Sequence, residues 1–140
     1  MHAHPFIRPM LLALGLAGLA GCATVPAERP PADAAASAGV VAEKYQPLDR
    51  PVREAVECFA LHERVLPDGR LEVVAVMRNL TAAPVKLQLN CVFKDAQGFS
   101  IGDETPFQSA TVFPGVNESV RFTSAGATAR SFTVRARLAR

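Results

Sequence analysis

The fold class is decided by residues 70–94, which read RLEVVAVMRNLTAAPVKLQLNCVFK. In the second half of this stretch the apolar residues occupy every other position and share one face: Val85, Leu87, Leu89, Cys91 and Phe93. Alternation with a period of two is typical of a β-strand that has one buried face. The first half alternates in the same way, and residues 79–84 form the short connection. The stretch therefore predicts two consecutive strands.

Turn signals border this stretch and recur further along the chain. Pro67-Asp68-Gly69 precedes it and Asp95-Ala96-Gln97-Gly98 follows it, and both combinations favour tight turns. Pro114-Gly115 separates two further predicted strands, over residues 105–113 and 116–123. The regular spacing of turns and short strands predicts an all-β protein.

The C-terminal strand has the clearest pattern, since Phe132, Val134, Ala136 and Leu138 alternate with polar residues. We predict a small Ig-like β-sandwich of about seven strands over residues 55–140. The start of this domain is ambiguous, because its apolar residues also fit helical spacing. These residues are Val52, Val56, Phe59 and Ala60. We expect a strand from about Cys58, which would pair with the strand after the first turn.

The N-terminal segment predicts export and lipidation. Arg8 precedes an apolar run over residues 10–20, which has about half the length needed to span a bilayer. The run ends in Leu19-Ala20-Gly21-Cys22, which resembles the lipobox of bacterial lipoproteins. We predict a signal peptide over residues 1–21 and a lipid anchor on Cys22, which the resemblance places at the outer membrane, facing the periplasm, because Ala23 follows. The alternative is an ordinary secretory signal followed by cysteine.

Residues 22–54 are predicted to be a tether between the lipid and the domain. Prolines interrupt an alanine-rich stretch that has no cluster of bulky apolar residues. Such a segment cannot bury enough surface to offset the entropy lost on ordering. We expect a disordered, semi-flexible spacer.

Residues 70–138 also resemble the YcfL-type lipoprotein domain of Gram-negative bacteria. The resemblance is carried by Arg78-Asn79-Leu80-Thr81, Asp95-Ala96-Gln97-Gly98, Phe113-Pro114-Gly115 and Phe132-Thr133-Val134-Arg135 together with Ala125. The sequence departs from the family pattern in having Phe107 where tryptophan is expected and Cys91 on a normally aromatic strand. The resemblance implies a periplasm-facing β-sandwich lipoprotein with no assigned chemistry and no catalytic residue to transfer.

Composition and motifs argue against several classes of function. The 15 Lys and Arg residues nearly balance the 13 Asp and Glu residues, whereas nucleic-acid binding needs a strong basic footprint. His62 has no nucleophile motif near it, so we predict a surface residue and no enzyme. The acidic group of Asp95, Asp103 and Glu104 lacks the spacing of a calcium loop and is assigned to turns. We predict no metal site and no cofactor.

Cys58 and Cys91 leave three alternatives open. Two cysteines in one small exported domain usually form a disulfide, which is the first alternative. The second is a pair of separate buried thiols. The third is a redox-active or metal-handling pair, although no CxxC motif is present.

The last strand carries a basic group on its outward face: Arg130, Arg135, Arg137 and Arg140. These charges fit protection of an edge strand against aggregation, or a contact surface for an acidic partner. We predict a lipid-anchored envelope lipoprotein whose β-sandwich is a non-catalytic binding or adaptor module for an envelope protein or peptidoglycan. The alternative is a periplasmic thiol-redox or metal-handling protein that uses Cys58 and Cys91.

Overall fold

The computed structural model describes residues 39–140. The predicted signal peptide, Cys22 and the first part of the predicted tether lie outside the described residues. Residues 39–44 are helical, and one further helix and eight strands follow. Among the described residues, no helix has the length and hydropathy to cross a bilayer.

The strands form two sheets that pack face to face. The elements are β1 (Tyr45–Pro47), α1 (Arg50–Ala55), β2 (Val56–Val65), β3 (Leu71–Asn79), β4 (Val85–Lys94), β5 (Ser100–Glu104), β6 (Gln108–Val112), β7 (Asn117–Thr123) and β8 (Ser131–Leu138). The larger sheet has the order β1-β8-β4-β5, with β6 also paired to β4. The smaller sheet has the order β2-β3-β7. The predicted all-β sandwich is confirmed.

The core lies between the two sheets and follows the alternation in the sequence. The inward residues of β4, at every second position from Leu87 to Phe93, have no exposed surface. From the other sheet, Val73, Ala75 and Met77 of β3 are equally buried, and Phe122 of β7 is 1% exposed. Burying these side chains supplies the main driving force for folding, because it removes apolar surface from water.

The predicted strand over residues 105–113 is present as the shorter strand β6, and a strand that was not predicted, β5, precedes it. β5 and β6 lie one after the other along the same edge of β4, and the break falls at Thr105-Pro106-Phe107. Pro106 has no N–H to donate to a ladder. At the break, Thr105 exchanges hydrogen bonds with Cys91: the Thr105 N–H donates to the Cys91 carbonyl, and the Cys91 N–H donates to Thr105 Oγ1, both at 2.9 Å. With β5 and β1, which were not predicted, the described residues form eight strands instead of about seven.

The folded domain begins earlier than the boundary predicted between residues 54 and 55. β1 pairs in parallel with β8, where Tyr45 lies beside Val134. α1 then begins after Asp49, whose side chain accepts the Val52 N–H at 3.0 Å and caps the helix. Val52 itself has no exposed surface. Residues 45–54 therefore pack with the domain, because β1 pairs with β8 and Val52 is buried in the core; Pro47 lies in β1 and Pro51 in the first turn of α1.

The ambiguity at the start of β2 is resolved as a helix followed by a strand. Val52 is helical, whereas Val56, Phe59 and Ala60 lie in β2. The strand was expected to start at about Cys58 and starts two residues earlier, at Val56. It pairs with β3, as expected.

Asn79 joins the two sheets at one end of the sandwich. Its Nδ2 donates to the Val112 carbonyl of β6 at 2.8 Å and to the Ala83 carbonyl at 2.7 Å. Its Oδ1 accepts the Thr81 N–H at 2.7 Å. Asn79 is 7% exposed, so these bonds are made largely out of water. One side chain thus fixes the loop after β3 and the end of β6.

We predict that Asn79→Ala lowers the free energy of unfolding by about 2–4 kcal/mol, because it leaves several buried backbone groups without partners. Urea denaturation of the folded protein measures this change. Asn117→Ala is the control, since Asn117 is exposed and should change stability by less than about 0.5 kcal/mol. Equal effects of the two substitutions would contradict the assignment.

Candidate functional site

The described residues form an apolar cleft on one side of the sandwich. Within residues 39–140, β1 pairs only with β8 and β2 pairs only with β3, so each of these strands leaves one edge of its sheet open. The cleft lies where these two edges meet and has a volume of about 790 Å³. Its lining consists of Val41, Ala42, Tyr45, Pro47, Arg53, Val56, Glu57, Cys58, Phe59, Ala60 and Leu80. The volume is in the range of small-molecule sites.

A β-bulge in β2 turns an aromatic side chain toward this cleft. The ladder pairs Cys58 with Met77 and Ala60 with Val76, which leaves Phe59 between them without a partner. Phe59 is 47% exposed, and the guanidinium of Arg78 lies 3.9 Å from the centre of its ring. The irregularity therefore presents a large apolar group at the surface that a regular strand would place differently.

Leu80 adds a second exposed apolar side chain to the lining of the cleft. It follows β3 directly, and its N–H donates to the Ala55 carbonyl at the end of α1, at 2.9 Å. The side chain is 55% exposed. Phe59 and Leu80 together give the cleft a rim of exposed apolar groups, which is a common mark of a binding site.

Polar groups of the cleft are few and differ in their surroundings. The Tyr45 hydroxyl is buried and has no hydrogen-bond partner among the described residues. Burial raises the pKa of Tyr45, and the nearby Cys58 and Asp49 raise it further, so the phenol stays neutral. The Arg53 side chain has no hydrogen bond or ion pair within residues 39–140, whereas Glu57 lies 3.7 Å from Arg78. Arg53 is therefore the unpaired charge of this lining.

The possible disulfide between Cys58 and Cys91 is not formed; both cysteines are free and buried. Cys58 lies in β2 of the smaller sheet and Cys91 in β4 of the larger sheet. Burial raises the pKa of each thiol to about 12, which disfavours the reactive thiolate. Of the three alternatives, the structure has separate buried thiols. Sequence spacing could not decide this, because the distance between sheets is set by packing.

The predicted basic group is not on an edge strand. β8 lies between β1 and β4, so the interpretation of its charges as edge protection is wrong. Arg135 forms an ion pair with Glu104 and donates to Oδ1 of the fully buried Asn90 at 3.1 Å. Arg135 therefore stabilises the larger sheet through its contacts with β4 and β5.

The remaining arginines of this group are dispersed. Arg137 stacks on Phe107, with 3.8 Å from its guanidinium carbon to the ring centre, and donates to Gln88 Oε1 at 3.0 Å. Arg130 donates to the carbonyls of Ala127 and Ala129, at 2.7 Å each. Arg140 is exposed. The structure does not bring the four arginines together as one free basic surface.

The acidic residues considered for calcium serve the fold in separate places. Asp95 Oδ1 accepts the N–H groups of Gln97 and Phe99, at 3.0 and 2.9 Å. Asp103 Oδ2 accepts the Ala125 N–H at 2.7 Å, whereas Glu104 pairs with Arg135. Among the described residues, no three His, Cys, Asp or Glu side chains are grouped as metal ligands would be.

His62 lines a smaller groove of about 250 Å³ on the outer face of the smaller sheet. Glu72 in this groove accepts a hydrogen bond from Arg64 Nε at 2.6 Å and lies 3.7 Å from Arg121. The bond from Arg64 and the charge of Arg121 lower the pKa of Glu72. The carboxylate is therefore held by two arginines.

Sequence reasoning missed the main residues of the cleft, namely Tyr45, Arg53, Phe59 and Leu80. Two of them lie in the segment interpreted as a tether. The available signal was Asp49-Arg50-Pro51, since an Asp cap followed by proline in the first turn is typical of a helix start. No sequence signal placed that helix beside β2.

Comparison with solved structures defines the class of this protein as a small β-sandwich. No family model and no curated protein matches the sequence significantly. The fold is similar to that of cj0090 from Campylobacter jejuni, with a TM-score of 0.57 and 15% identity, covering 69% of this chain and 98% of that chain. It is also similar to a DUF1425 family member from Shewanella sp. pv-4, with a TM-score of 0.54 and 21% identity, covering 61% and 79%. At these identities the likeness shows the shared fold.

We predict that the buried thiols make the free energy of unfolding fall as the pH rises above about 8.5. The pKa of each thiol is raised in the folded state, so the thiols stabilise the fold most fully below the unfolded-state pKa of about 8.5. This stabilisation is lost as the pH rises toward 12, because the unfolded chain ionises first. Between pH 8.5 and 10, the free energy of unfolding should fall by about 3 kcal/mol more than in Cys58→Ala/Cys91→Ala. Urea denaturation at each pH compares the two slopes, and parallel curves would contradict the prediction.

We also predict that Arg135→Glu destabilises the fold. The substitution removes the bond to Asn90 and places a second carboxylate beside Glu104, so the free energy of unfolding should fall by about 1–3 kcal/mol. Arg140→Glu is the matched charge reversal and should change it by less than about 0.5 kcal/mol. Thermal or urea denaturation distinguishes them, and an equal, small effect of both would show that Arg135 is a free surface charge.

Proposed function

We propose that this protein is a lipid-anchored envelope lipoprotein, facing the periplasm at the outer membrane, whose β-sandwich is a non-catalytic binding module. The observation that carries the binding role is the apolar cleft of about 790 Å³ between β1 and β2. The resemblance of residues 19–22 to a lipobox supports the anchor on Cys22. The resemblance to YcfL-type lipoproteins supports the same location, and the DUF1425 likeness is compatible with it.

The cleft supports binding because its exposed apolar groups are arranged around a concavity. Phe59 and Leu80 are both about half exposed at its rim, while Val56 and Cys58 form buried parts of its wall. Covering such a rim removes apolar surface from water and so favours association. The cleft replaces the arginine strand as the proposed contact surface, since Arg135 and Arg137 are engaged within the larger sheet.

The proposed spacer is short enough to keep this cleft near the proposed anchor. Residues 23–38 separate Cys22 from Gly39, where the described residues begin. As the proposed flexible spacer, a chain of this length has a root-mean-square span of roughly 20–24 Å. A binding module held at that distance meets membrane and envelope components at high effective concentration, so weak contacts suffice.

A non-catalytic role agrees with the chemistry of the described residues. Both thiols are buried with a raised pKa, which weighs against the alternative of a thiol-redox protein. In the groove that His62 lines, Glu72 is held by Arg64 and Arg121. Binding is therefore the function that this geometry supports best.

We predict that a photocrosslinking amino acid at position 59 captures a partner in intact cells. p-Benzoylphenylalanine in place of Phe59 keeps an aromatic group at the cleft rim. The same substitution at Phe99 is the control, because Phe99 is 71% exposed in the turn between β4 and β5. Gel mobility and mass spectrometry should find a specific adduct at position 59 and none at position 99.

Two further results decide the proposal. The position 59 adduct should disappear in Cys22→Ala, which should also lose metabolic labelling by an alkyne fatty acid. Identical adducts at positions 59 and 99, or none at position 59, would overturn the cleft as the binding surface. Retention of the fatty-acid label in Cys22→Ala would overturn the anchor.

A further inference from the structure

We infer that the cleft binds one fatty-acyl chain of a membrane lipid whose anionic head group pairs with Arg53. This inference rests on the proposed function, because it names the ligand of the same cleft. The fit depends on three features of the described residues: the wall, the strand edges beside it and the charge at its rim.

The wall is suited to a flexible apolar chain. Most of its residues are apolar, including Val41, Pro47 and Val56, and the cavity volume of about 790 Å³ leaves room for an acyl tail. Tyr45 also lines the cleft and brings an aromatic ring to it. An acyl chain has no polar group that such a wall would leave unsatisfied.

The strand edges beside the cleft are poorly suited to a peptide. An added strand needs a regular row of unpaired N–H and C=O groups. The bulge between Cys58 and Ala60 interrupts that row in β2, and Pro47 in β1 has no N–H. Lys44 also crosses toward β2 and pairs with Glu63 at 2.8 Å. An acyl chain requires no backbone hydrogen bonds and avoids these obstacles.

The charge at the rim favours an anionic head group. Arg53 and Glu57 are the charged residues of the lining, and Glu57 lies near Arg78. Within residues 39–140, no carboxylate pairs with Arg53, although Arg50 on the same helix pairs with Glu54 at 2.7 Å. A carboxylate or phosphate at the cleft mouth would supply the missing partner.

The membrane is the source that fits this head group. The lipid proposed on Cys22 is joined through the cysteine and has no anionic group to offer Arg53. Withdrawing one of its chains into the cleft would also weaken the anchor, because membrane attachment grows with each buried chain. A separate anionic lipid satisfies Arg53 and leaves the anchor in place.

The test uses the full lipidated protein in phosphatidylcholine nanodiscs that contain a photoactivatable alkyne fatty acid. Illumination should label residues 56–60 or Leu80, read by peptide mass spectrometry. Arg53→Glu should reduce this labelling about fivefold to tenfold, because it replaces an attractive charge by a repulsive one. Arg50→Glu is the matched control on the same helix and should change it less than about twofold.

A second probe isolates the contribution of the head group. An uncharged acyl alcohol that carries the same photoactivatable chain should label the wild-type cleft less than the fatty acid does. It should label the wild type and Arg53→Gln equally, whereas the fatty acid should distinguish them. Circular dichroism and urea denaturation of each variant ensure that lost labelling reflects lost binding.

The remaining outcomes overturn the inference in distinguishable ways. Labelling that is equal in Arg53→Glu and Arg50→Glu excludes the proposed head-group contact. A crosslink between residues 23–38 and the cleft would identify the chain itself as the occupant. A protein adduct at position 59 in cells, without acyl labelling in nanodiscs, would preserve the proposed binding function and exclude the lipid. If neither a protein adduct at position 59 nor acyl labelling is found, both the proposed binding function and the lipid ligand are rejected.

Discussion

The whole sandwich depends on β4 being paired along both of its edges. β8 lies along one edge, while β5 and β6 share the other. The inward residues of β4 are fully buried against the smaller sheet, so this strand holds the core and the larger sheet together. The break at Thr105 allows two short strands to cover one long edge, because its side chain and backbone satisfy Cys91 where the ladder is interrupted. Asn90, adjacent in β4, is fully buried and bonds to Glu104 and Arg135.

Each sheet has one edge strand beside the cleft, β1 in the larger sheet and β2 in the smaller sheet. α1 connects β1 to β2, and these two strands belong to different sheets and do not pair with each other. The cleft lies between them, and the bulge at Phe59 gives it an aromatic rim. The proposed site is therefore a consequence of sheet order: edges that the fold leaves unpaired can be covered by a ligand.

Several residues with suggestive chemistry in the sequence have structural roles instead. The alternation of the last strand placed Arg135 and Arg137 on its outward face, as the structure does. Their partners are residues of β4 together with Glu104 and Phe107, which the alternation did not indicate. Cys58 and Cys91 were correctly expected to belong to the folded domain, yet they lie in different sheets as separate thiols. Strand periodicity gives the face of a residue, whereas its neighbours on that face depend on strand order.

The sequence by itself determined the class of fold, because alternation and turn residues are local signals that act within a few residues. The strands around residues 71–79, 85–94 and 131–138 could be predicted with their buried faces in this way. Only the tertiary structure decided the order of the strands, the place of β1 beside β8 and the cleft between Val41 and Leu80. Those features join residues far apart in the chain. Their geometry follows from how two sheets bury a common core, which no local pattern encodes.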